Sequence, residues 1–283
     1  MALDDNWFTE PDRDIAMSLR ITQKLHEEQT PYQKIEIYET TGFGNLMVID
    51  GFVMLTGRDN FIYHEMMSHP VLYSHNAPKN VVIIGGGDCG TLREVLKHDE
   101  VQKAVQVDID ERVTRLAEQY FPELCDSNDD PRAELRFDDG IQYIQDAEAG
   151  SIDVIIVDST DPVGPAKGLF SADFYRDCVK ALGSDGLLVQ QSESPLLHTD
   201  SILRPMHDSM RGAGFIDALT MHFPQPTYPS GWWTCTIASK DAPVAFLREE
   251  AAEEIPFVTH YYNAAIHRAA GATPEFFRRK LFA

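Results

Sequence analysis

Apolar and polar residues follow two different periods along the chain. Between residues 32 and 56, in YQKIEIYETTGFGNLMVIDGFVMLT, they alternate with a period of two, with breaks at Gly42, Gly44 and Gly51. Alternation interrupted by glycine is typical of short antiparallel strands joined by tight turns. The pattern therefore predicts a small β domain over residues 1–60.

From residue 81 onward, short apolar runs alternate with helix-length segments of mixed polarity. VVII, AVQVD, AELRF and SIDVIIVD each precede such a segment, and LLVQQ follows the last one. Strands that alternate with crossover helices specify a parallel sheet. The later runs IDALTMHF and WWTCTIAS predict an antiparallel pair that closes this sheet. We therefore predict an α/β domain over residues 61–283.

The charge balance makes nucleic acid and anionic membranes poor partners. The 283 residues include 45 Asp and Glu but only 24 Lys and Arg, a formal charge of −21. Such a surface repels phosphate groups and attracts cations, although a need for solubility explains it equally well. The apolar runs are far shorter than the ~20 residues that span a bilayer, and the N-terminal residues lack the order of a signal peptide. We expect neither nucleic acid nor membrane as a partner.

Neither the cysteines nor the histidines have the spacing of a metal site. Cys89, Cys125, Cys178 and Cys235 form no CxxC pair, which favours a reducing cytoplasm over a disulfide framework. In HEMMSH, residues 64–69, the histidines are about 140° apart round a helix, so the HExxH geometry for zinc is not met. We expect no metal, and a divalent ion held by oxygen ligands alone is the alternative.

A glycine-rich turn follows the first apolar run of the α/β segment. Residues 85–90, GGGDCG, fit G-x-G-x-x-G, which either lets the backbone approach a ligand or only packs a helix on a strand. Asp108 ends the next strand about 20 residues later, where a carboxylate accepts hydrogen bonds from ribose hydroxyls. Together they predict an adenosine-type ligand. Asp88 argues against a dinucleotide, because its carboxylate would repel a pyrophosphate.

Further aspartates follow the next strands. Asp138 and Asp139 come after the third strand, where they suit either an adenine amino group or a helix cap. Asp158 and Asp161 come after the fourth, in DSTDPVGP. The carboxyl edge of the sheet would then hold six carboxylates, whose repulsion the positive charge of a ligand would relieve. The six are Asp88, Asp108, Asp138, Asp139, Asp158 and Asp161.

Two aromatic stretches are candidates for the wall of a pocket. One holds Tyr63 and His64, and the other, QPTYPSGWW, places Tyr228 between two prolines and ahead of a tryptophan pair. A rigid aromatic loop suits a cation, and ordinary aromatic packing is the alternative.

The motifs of this chain resemble those of the polyamine aminopropyltransferases, the bacterial spermidine synthases in particular. The matching stretches are RDNFIYHEMMSHP, IGGGDCGTLREVLKH, VDID, FDDG, DSTDPVGP, PTYPSGWW and YYNAAIHRAA, in the family's order and spacing. The likeness covers nearly the whole chain. It implies a Rossmann-like, methyltransferase-type sheet with a small N-terminal antiparallel β domain, assembled as a homodimer or homotetramer.

The resemblance also implies a reaction. An aminopropyl group would pass from decarboxylated S-adenosylmethionine to putrescine, giving spermidine and methylthioadenosine, and because the donor is a co-substrate no cofactor is expected. Three alternatives stay open. They are another amine acceptor (cadaverine, agmatine or spermidine), an S-adenosylmethionine-dependent methyltransferase, and a non-catalytic nucleotide- or polyamine-binding module.

For the donor, the resemblance implies roles by position. Asp108 would bind the ribose, and Gln33 and Asp88 the sulfonium and aminopropyl end. The adenine end falls to Asp138, Asp139 and Gly140.

For the acceptor, Asp158 would take the proton, directly or through water and Tyr63, while Asp161 would fix an ammonium group. The loop through Pro165 would close as a lid. The residues that would surround the amine are Tyr63, His64, Asp161, Gln191 and Tyr228.

Five positions depart from the family's usual residues. Asp108 stands in place of a more common Glu, and Cys89 in place of a Gly. Met54, Gly57 and Asn60 replace Gln, Glu and Glu near Tyr63, which bears on the identity of the acceptor.

Overall fold

The computed structural model describes residues 4–12, 15–162 and 164–281. The N-terminal strands are β1 Trp7–Asp12, β2 Ile15–Gln29, β3 Lys34–Thr40, β4 Asn45–Ile49 and β5 Phe52–Thr56. They form one antiparallel sheet in the order β1-β2-β3-β4-β5. The antiparallel β region predicted from the alternating sequence is present.

The longest N-terminal strand, β2, precedes the stretch whose alternation predicted strands. Leu19 is the one fully buried residue of its 15. Ile21 and Leu25 are only partly buried, and several of the remaining side chains make polar contacts, such as Lys24 with Glu36 on β3 at 2.6 Å. The strand has no continuous buried face, so hydrophobic periodicity does not show it.

The remaining strands form a second sheet of the predicted α/β type. They are β6 Asn80–Gly85, β7 Lys103–Asp108, β8 Ala133–Phe137, β9 Ile152–Asp158, β10 Leu182–Gln191, β11 Asp217–Pro224 and β12 Trp232–Ser239. Their order is β11-β12-β10-β9-β6-β7-β8, parallel from β10 to β8 and antiparallel at β11 and β12. This confirms the Rossmann-like, methyltransferase-type sheet with its closing antiparallel pair.

Helices cover both faces of this sheet. They are α1 Asn60–Tyr73, α2 Gly90–Leu96, α3 Glu111–Tyr120, α4 Gly140–Asp146, α5 Ala172–Ala181, α6 Arg204–Ala213, α7 Glu249–Glu253, α8 Ala264–Ala270 and α9 Glu275–Leu281. Helix α1 is buried on nearly every side, so it shows no apolar stripe. Across the described ranges, no helix is both long enough and apolar enough to cross a membrane.

The N-terminal sheet packs over the carboxyl edge of the second sheet. Ile35 of β3 and Met47 of β4 lie in one buried cluster with Val113 and Leu116 of α3. The carboxyl edge itself is aligned by register, since Gly85 pairs with Asp158 and Asp108 with Phe137. The ends of four parallel strands thus face the underside of the N-terminal sheet.

Candidate active site

The glycine turn lies directly against the end of β9. Gly85 and Gly86 have positive φ, +84° and +66°, and a Cβ on Gly85 would lie 2.1 Å from the Asp158 carbonyl oxygen. The Gly86 amide donates to that oxygen at 2.8 Å. Only glycine fits here, because both the backbone conformation and the close approach exclude a side chain.

A cavity opens along this edge, between the strand ends and the N-terminal sheet. Tyr32, Ile49 and Asp50 contribute from the N-terminal side. Predicted site residues that line this cavity are Gln33, Tyr63, Asp88, Asp108, Asp139, Gly140, Asp158, Asp161 and Tyr228. We call it the donor cavity, because it contains the residues expected at an adenosine-type ligand.

Asp108 sits at the base of the donor cavity. Its Oδ1 accepts a hydrogen bond from the Asp110 amide at 2.8 Å, and its Oδ2 lies so close to Gly87 that a Cβ there would be 2.7 Å away. Burial raises the pKa of Asp108 to about 6, with the Asp110 carboxylate adding to the rise and the amides of Asp110 and Gly87 opposing it. A ligand hydroxyl that donates to this carboxylate would stabilise its charged form.

Asp88 is held by a histidine beneath the turn. Its Oδ1 lies 3.1 Å from His64 Nε2 and accepts from the Gly90 amide at 2.7 Å. Burial alone would raise the pKa of Asp88 and lower that of His64, but their mutual attraction lowers the first and raises the second. The contact therefore favours the charged form of each group. His64 lines neither cavity of the site; it supports Asp88 from behind.

Asp158 is buried with both carboxylate oxygens hydrogen-bonded. Oδ1 accepts from the Tyr63 hydroxyl and Oδ2 from the Thr91 hydroxyl, each at 2.6 Å. Burial, and then repulsion by the Asp88 carboxylate, raises the pKa of Asp158, while His64 and these two hydroxyls oppose the rise. The carboxylate is thus more basic than an exposed aspartate.

Thr91 was not among the predicted site residues. It lies in the first turn of α2. The feature of the sequence that pointed to it was a hydroxyl residue immediately after the glycine turn.

The two aspartates after β8 separate. Asp139 lines the donor cavity and also caps α4, accepting from the amides of Ile141 at 2.8 Å and Gln142 at 3.3 Å. Asp138 is exposed, accepts from the Asp139 amide and lines neither cavity. The structure therefore brings five of the six predicted carboxylates to the cavity edge.

A second cavity adjoins the first. Tyr63, Asp161 and Tyr228 line both. Gln191 lines only the second, which we call the acceptor cavity. The four side chains expected around an amine, apart from His64, therefore surround one space.

Acidic side chains that the sequence reasoning missed also line the acceptor cavity. Glu10 is 4% exposed and accepts from the Val53 amide at 2.6 Å. Glu193 is completely buried, accepts from Gln191 Nε2 at 3.3 Å and lies 3.5 Å from His198. A polar run, QSES, at the end of a buried strand was the signal for Glu193, whereas nothing near Glu10 marks it.

Aromatic rings form the wall between the cavities. The Tyr228 ring lies 6.1 Å from that of Tyr63 and 4.7 Å from that of Trp233, both edge to face. Asp59 anchors the loop that carries Tyr228, since its Oδ2 accepts from both the amide and the hydroxyl of Thr227. Burial, and then the Asp158 carboxylate, raises the pKa of Tyr63, so its phenol keeps its proton.

The departures from the family pattern fall in different places. Met54 lines both cavities, and its carbonyl accepts from the Tyr228 hydroxyl. Asn60 instead donates to the Thr56 carbonyl, and Gly57 packs against Gly44. Of these three positions, only Met54 faces the site.

Cys89 fits within the turn despite a φ of +69°. Its buried thiol lies 3.6 Å from the Gly87 carbonyl and accepts from Gln106 Nε2 at 3.5 Å. The side chain therefore points away from the donor cavity, which it does not line.

The segment after Asp161 contributes Ala166 and Leu169 to the donor cavity. They belong to a 3-10 helix, Gly164–Phe170. The side chain of Pro165, which was expected in the lid, lies outside the described residues. Within those residues, no three histidine, cysteine, aspartate or glutamate side chains are grouped as metal ligands.

Comparison with known families decides the relationship. Residues 60–248 match the family described as "Spermine/spermidine synthase domain", and residues 6–57 match the "Spermidine synthase tetramerisation domain". The chain belongs to the spermine/spermidine synthase family. This confirms the resemblance to polyamine aminopropyltransferases.

Curated relatives of this family are similar over their whole length. The chain is 78% identical to a polyamine aminopropyltransferase of Thioalkalivibrio sulfidiphilus over 282 residues, 100% of both chains. It is 65% identical to the enzyme of that name in Methylococcus capsulatus over 274 residues, 96% of this chain and 95% of the relative. Aminopropyl transfer on polyamines is therefore the activity of this family.

Solved structures agree. A spermidine synthase in complex with the transition state analogue AdoDATO has a TM-score of 0.93 and 33% identity, covering 100% of this chain and 97% of that one. The spermidine synthase of Thermotoga maritima has a TM-score of 0.91 and 34% identity, covering 98% and 94%.

Proposed function

We propose that this aminopropyltransferase is a spermidine synthase that transfers the aminopropyl group of decarboxylated S-adenosylmethionine to putrescine. The observation that carries the proposal is the junction of the two cavities at Tyr63 and Asp161, with Asp158 beside it. Carboxylates line both cavities, as a cationic donor and a dicationic acceptor require.

The donor cavity suits a nucleoside with a positive sulfur. Asp108 accepts from the ribose hydroxyls, and the end of β8 with Asp139 and Gly140 flanks the adenine. Asp88 stabilises the sulfonium, because the His64 contact keeps its carboxylate charged. Gln33 lines the same cavity and donates to Asp110 at 3.1 Å.

The chemical difficulty is the acceptor amine, which is protonated in water. With a pKa of ~10.4, only about one molecule in a thousand is neutral at pH 7, so exposing its lone pair costs about 4 to 5 kcal/mol. The neutral amine then attacks the methylene carbon next to the sulfonium, and the carbon–sulfur bond breaks as methylthioadenosine leaves. Attack needs the reacting atoms aligned at about 3.5 Å, and no covalent enzyme intermediate or cofactor is involved.

Asp158 is the proposed proton acceptor. The Tyr63 hydroxyl donates to its Oδ1 at 2.6 Å, so a proton from the amine reaches the carboxylate directly or through that phenol and water. Its raised pKa makes it a better base than an exposed aspartate. The proton then passes to solvent, because a carboxylate is still far less basic than an amine.

Asp161, Glu10 and Glu193 bind the ammonium charges of the acceptor. Glu10 and Glu193 line only the acceptor cavity, and Asp161 lines both cavities where they meet. An ammonium fixed at one end of the diamine aims the other nitrogen at the donor. The segment Gly164–Phe170 acts as the lid that excludes water during the reaction.

An amine panel tests the proposal. Purified protein would be incubated with labelled decarboxylated S-adenosylmethionine and with putrescine, cadaverine, agmatine or spermidine, and methylthioadenosine followed by mass spectrometry. We expect the highest kcat/KM with putrescine. Preference for another amine would contradict the acceptor assignment alone. In a parallel incubation with S-adenosylmethionine, formation of S-adenosylhomocysteine would indicate a methyltransferase.

We also propose a homotetramer, supported by the match of residues 6–57 to a tetramerisation domain. Light scattering of the purified protein measures its mass in solution, and a mass of one or two chains of 31.9 kDa would contradict the tetramer.

A further inference from the structure

A series of hydrogen-bonded, buried polar groups runs from α6 across β11 and β12 to the segment just beyond β10, and ends at the acceptor cavity. It joins His207 on α6 to the backbone of Glu193, and every member is less than 5% exposed. The intervening hydroxyl groups belong to Thr220 on β11, Thr236 and Thr234 on β12, and Ser192 just beyond β10. The consecutive distances are 2.8, 2.9, 2.9, 2.9 and 2.7 Å.

The last bond sets the direction of all the others. The Glu193 carbonyl can only accept, so Thr234 donates its one hydroxyl proton to it. Ser192 must therefore donate to Thr234, and Thr236 to Ser192.

The same argument continues to the far end. Thr220 must donate to Thr236, which leaves His207 Nε2 as the donor to Thr220. His207 is thereby held as the neutral tautomer with its proton on Nε2. Its Nδ1 is buried without a hydrogen-bond partner among the described residues. Burial lowers the pKa of His207 to about 4, which agrees with a neutral ring.

Glu193 is the residue that this chain of hydrogen bonds constrains. Its φ is +66°, a left-handed conformation that costs a non-glycine residue roughly 1–2 kcal/mol. Thr234 holds the backbone on both sides of it, since the Ser192 amide donates to the Thr234 carbonyl at 2.9 Å and the Thr234 hydroxyl donates to the Glu193 carbonyl. The conformation in turn presents the Glu193 carboxylate to the acceptor cavity.

We propose that Thr234 is a positioning residue for acceptor binding, which holds Glu193 in its left-handed conformation at the end of a one-way chain of hydrogen-bond donors that begins at His207. The inference rests on the proposed function, because the acceptor is taken to be a diamine. In this role, Thr234 acts through Glu193 and contacts neither substrate.

Kinetics with each substrate varied separately test this role. In Thr234→Val, which keeps the shape and removes the hydroxyl, we expect the KM for putrescine to rise about tenfold, with kcat and the donor KM within about twofold of the unchanged protein. Thr234→Ser restores the hydroxyl and should restore the KM. An unchanged putrescine KM in Thr234→Val, or equal damage to both substrates, overturns the proposal.

A matched control measures the general cost of losing such a bond. Thr40 is also buried and donates from its hydroxyl to a backbone carbonyl, that of Gly44, at 2.7 Å, but it lines neither cavity. Thr40→Val should lower stability without a selective rise in the putrescine KM. If it raises that KM as much as Thr234→Val does, the effect is structural and the proposal fails.

Nitrogen NMR of the unchanged protein gives a readout that does not depend on activity. We expect His207 to carry its proton on Nε2, and a proton on Nδ1 would refute the one-way chain. If the unchanged protein does not use putrescine at all, the proposed function fails while this tautomer is still testable.

Discussion

The donor and acceptor cavities are assembled in different ways. Most of the donor cavity comes from loops that each follow one parallel strand, at Gly85, Asp108, Asp139 and Asp158. The acceptor cavity draws on the N-terminal sheet, the end of β10 and the start of β12. Both cavities border the N-terminal sheet, but the floor of the donor cavity is the edge of a single parallel sheet, whereas no single edge supplies the acceptor cavity.

The difference shows in how the carboxylates are supported. Asp108 is held by neighbours of its own strand end and of the glycine turn, and Asp158 is held by Thr91 just after that turn and by Tyr63 of α1. Glu10 and Glu193 are held by backbone and side-chain groups of other elements, Val53 and Thr234 among them. We therefore expect a single substitution in the donor cavity to have a large effect. A single substitution in the acceptor cavity should have a smaller effect, because several carboxylates line that cavity.

The largest effect should come from Asp158, which lines the donor cavity beside its junction with the acceptor cavity. Asp158→Asn removes the proposed proton acceptor, and kcat for methylthioadenosine release should fall at least ~100-fold. Methylthioadenosine should still bind, measured by calorimetry. Asp241→Asn, an exposed aspartate outside both cavities, is the control. Full turnover in Asp158→Asn would mean that another group takes the proton.

The donor cavity should lose affinity sharply without Asp108. Hydrogen bonds to a charged group are worth ~1.5–3 kcal/mol, so Asp108→Asn should weaken methylthioadenosine binding about 10- to 100-fold. The unchanged protein should lose affinity as the pH falls through about 6, the pKa of Asp108, since the protonated carboxyl accepts less well. Affinity that does not vary with pH between 5 and 7 would contradict this role.

The same carboxyl has the opposite effect on folding. Its pKa in the folded protein is above the ordinary value of 3.8, so the stability it contributes is fully present below about pH 4 and is lost as the pH rises through about 6. As the pH rises through about 6, this carboxyl should therefore strengthen ligand binding while it contributes less to the stability of the fold. Urea unfolding of Asp108→Asn against the unchanged protein should show this pH-dependent difference, larger at pH 7 than at pH 4 and in favour of the variant.

The acceptor cavity should respond more weakly to one substitution. Asp161 is only half-buried and shares the cavity with two glutamates, so we expect Asp161→Asn to raise the putrescine KM about tenfold and to leave methylthioadenosine binding unchanged. Steady-state kinetics with each substrate varied measure the split. A loss confined to the donor side would contradict the division into two cavities.

The smallest effect should come from Cys89. Cys89→Gly relieves a left-handed conformation worth about 1–2 kcal/mol but loses a buried thiol and adds freedom to the unfolded chain. The free energy of unfolding should change by less than about 1 kcal/mol, with donor affinity unchanged, as urea denaturation and calorimetry would measure. A drop of several kcal/mol would mean that the thiol holds the turn.

The sequence predicted the donor cavity better than the acceptor cavity. The glycine turn and the aspartates after β7 and β9 could be placed because each strand end lies next to the others in a parallel sheet. Asp138 and His64 could not be placed, since neighbouring residues in a loop or helix point in different directions. Glu10 could not be found either, because an isolated glutamate in a strand carries no pattern.

By itself, the sequence determined the alternation of strands and helices from β6 onward, the glycine turn and the aspartates at the strand ends, because period, backbone freedom and charge are local properties of the chain. The tertiary structure decided that Tyr63 and Thr91 donate to Asp158, that His64 keeps Asp88 charged, and that Thr234 holds Glu193. These contacts join residues up to 95 positions apart, and only packing brings such partners within hydrogen-bond distance.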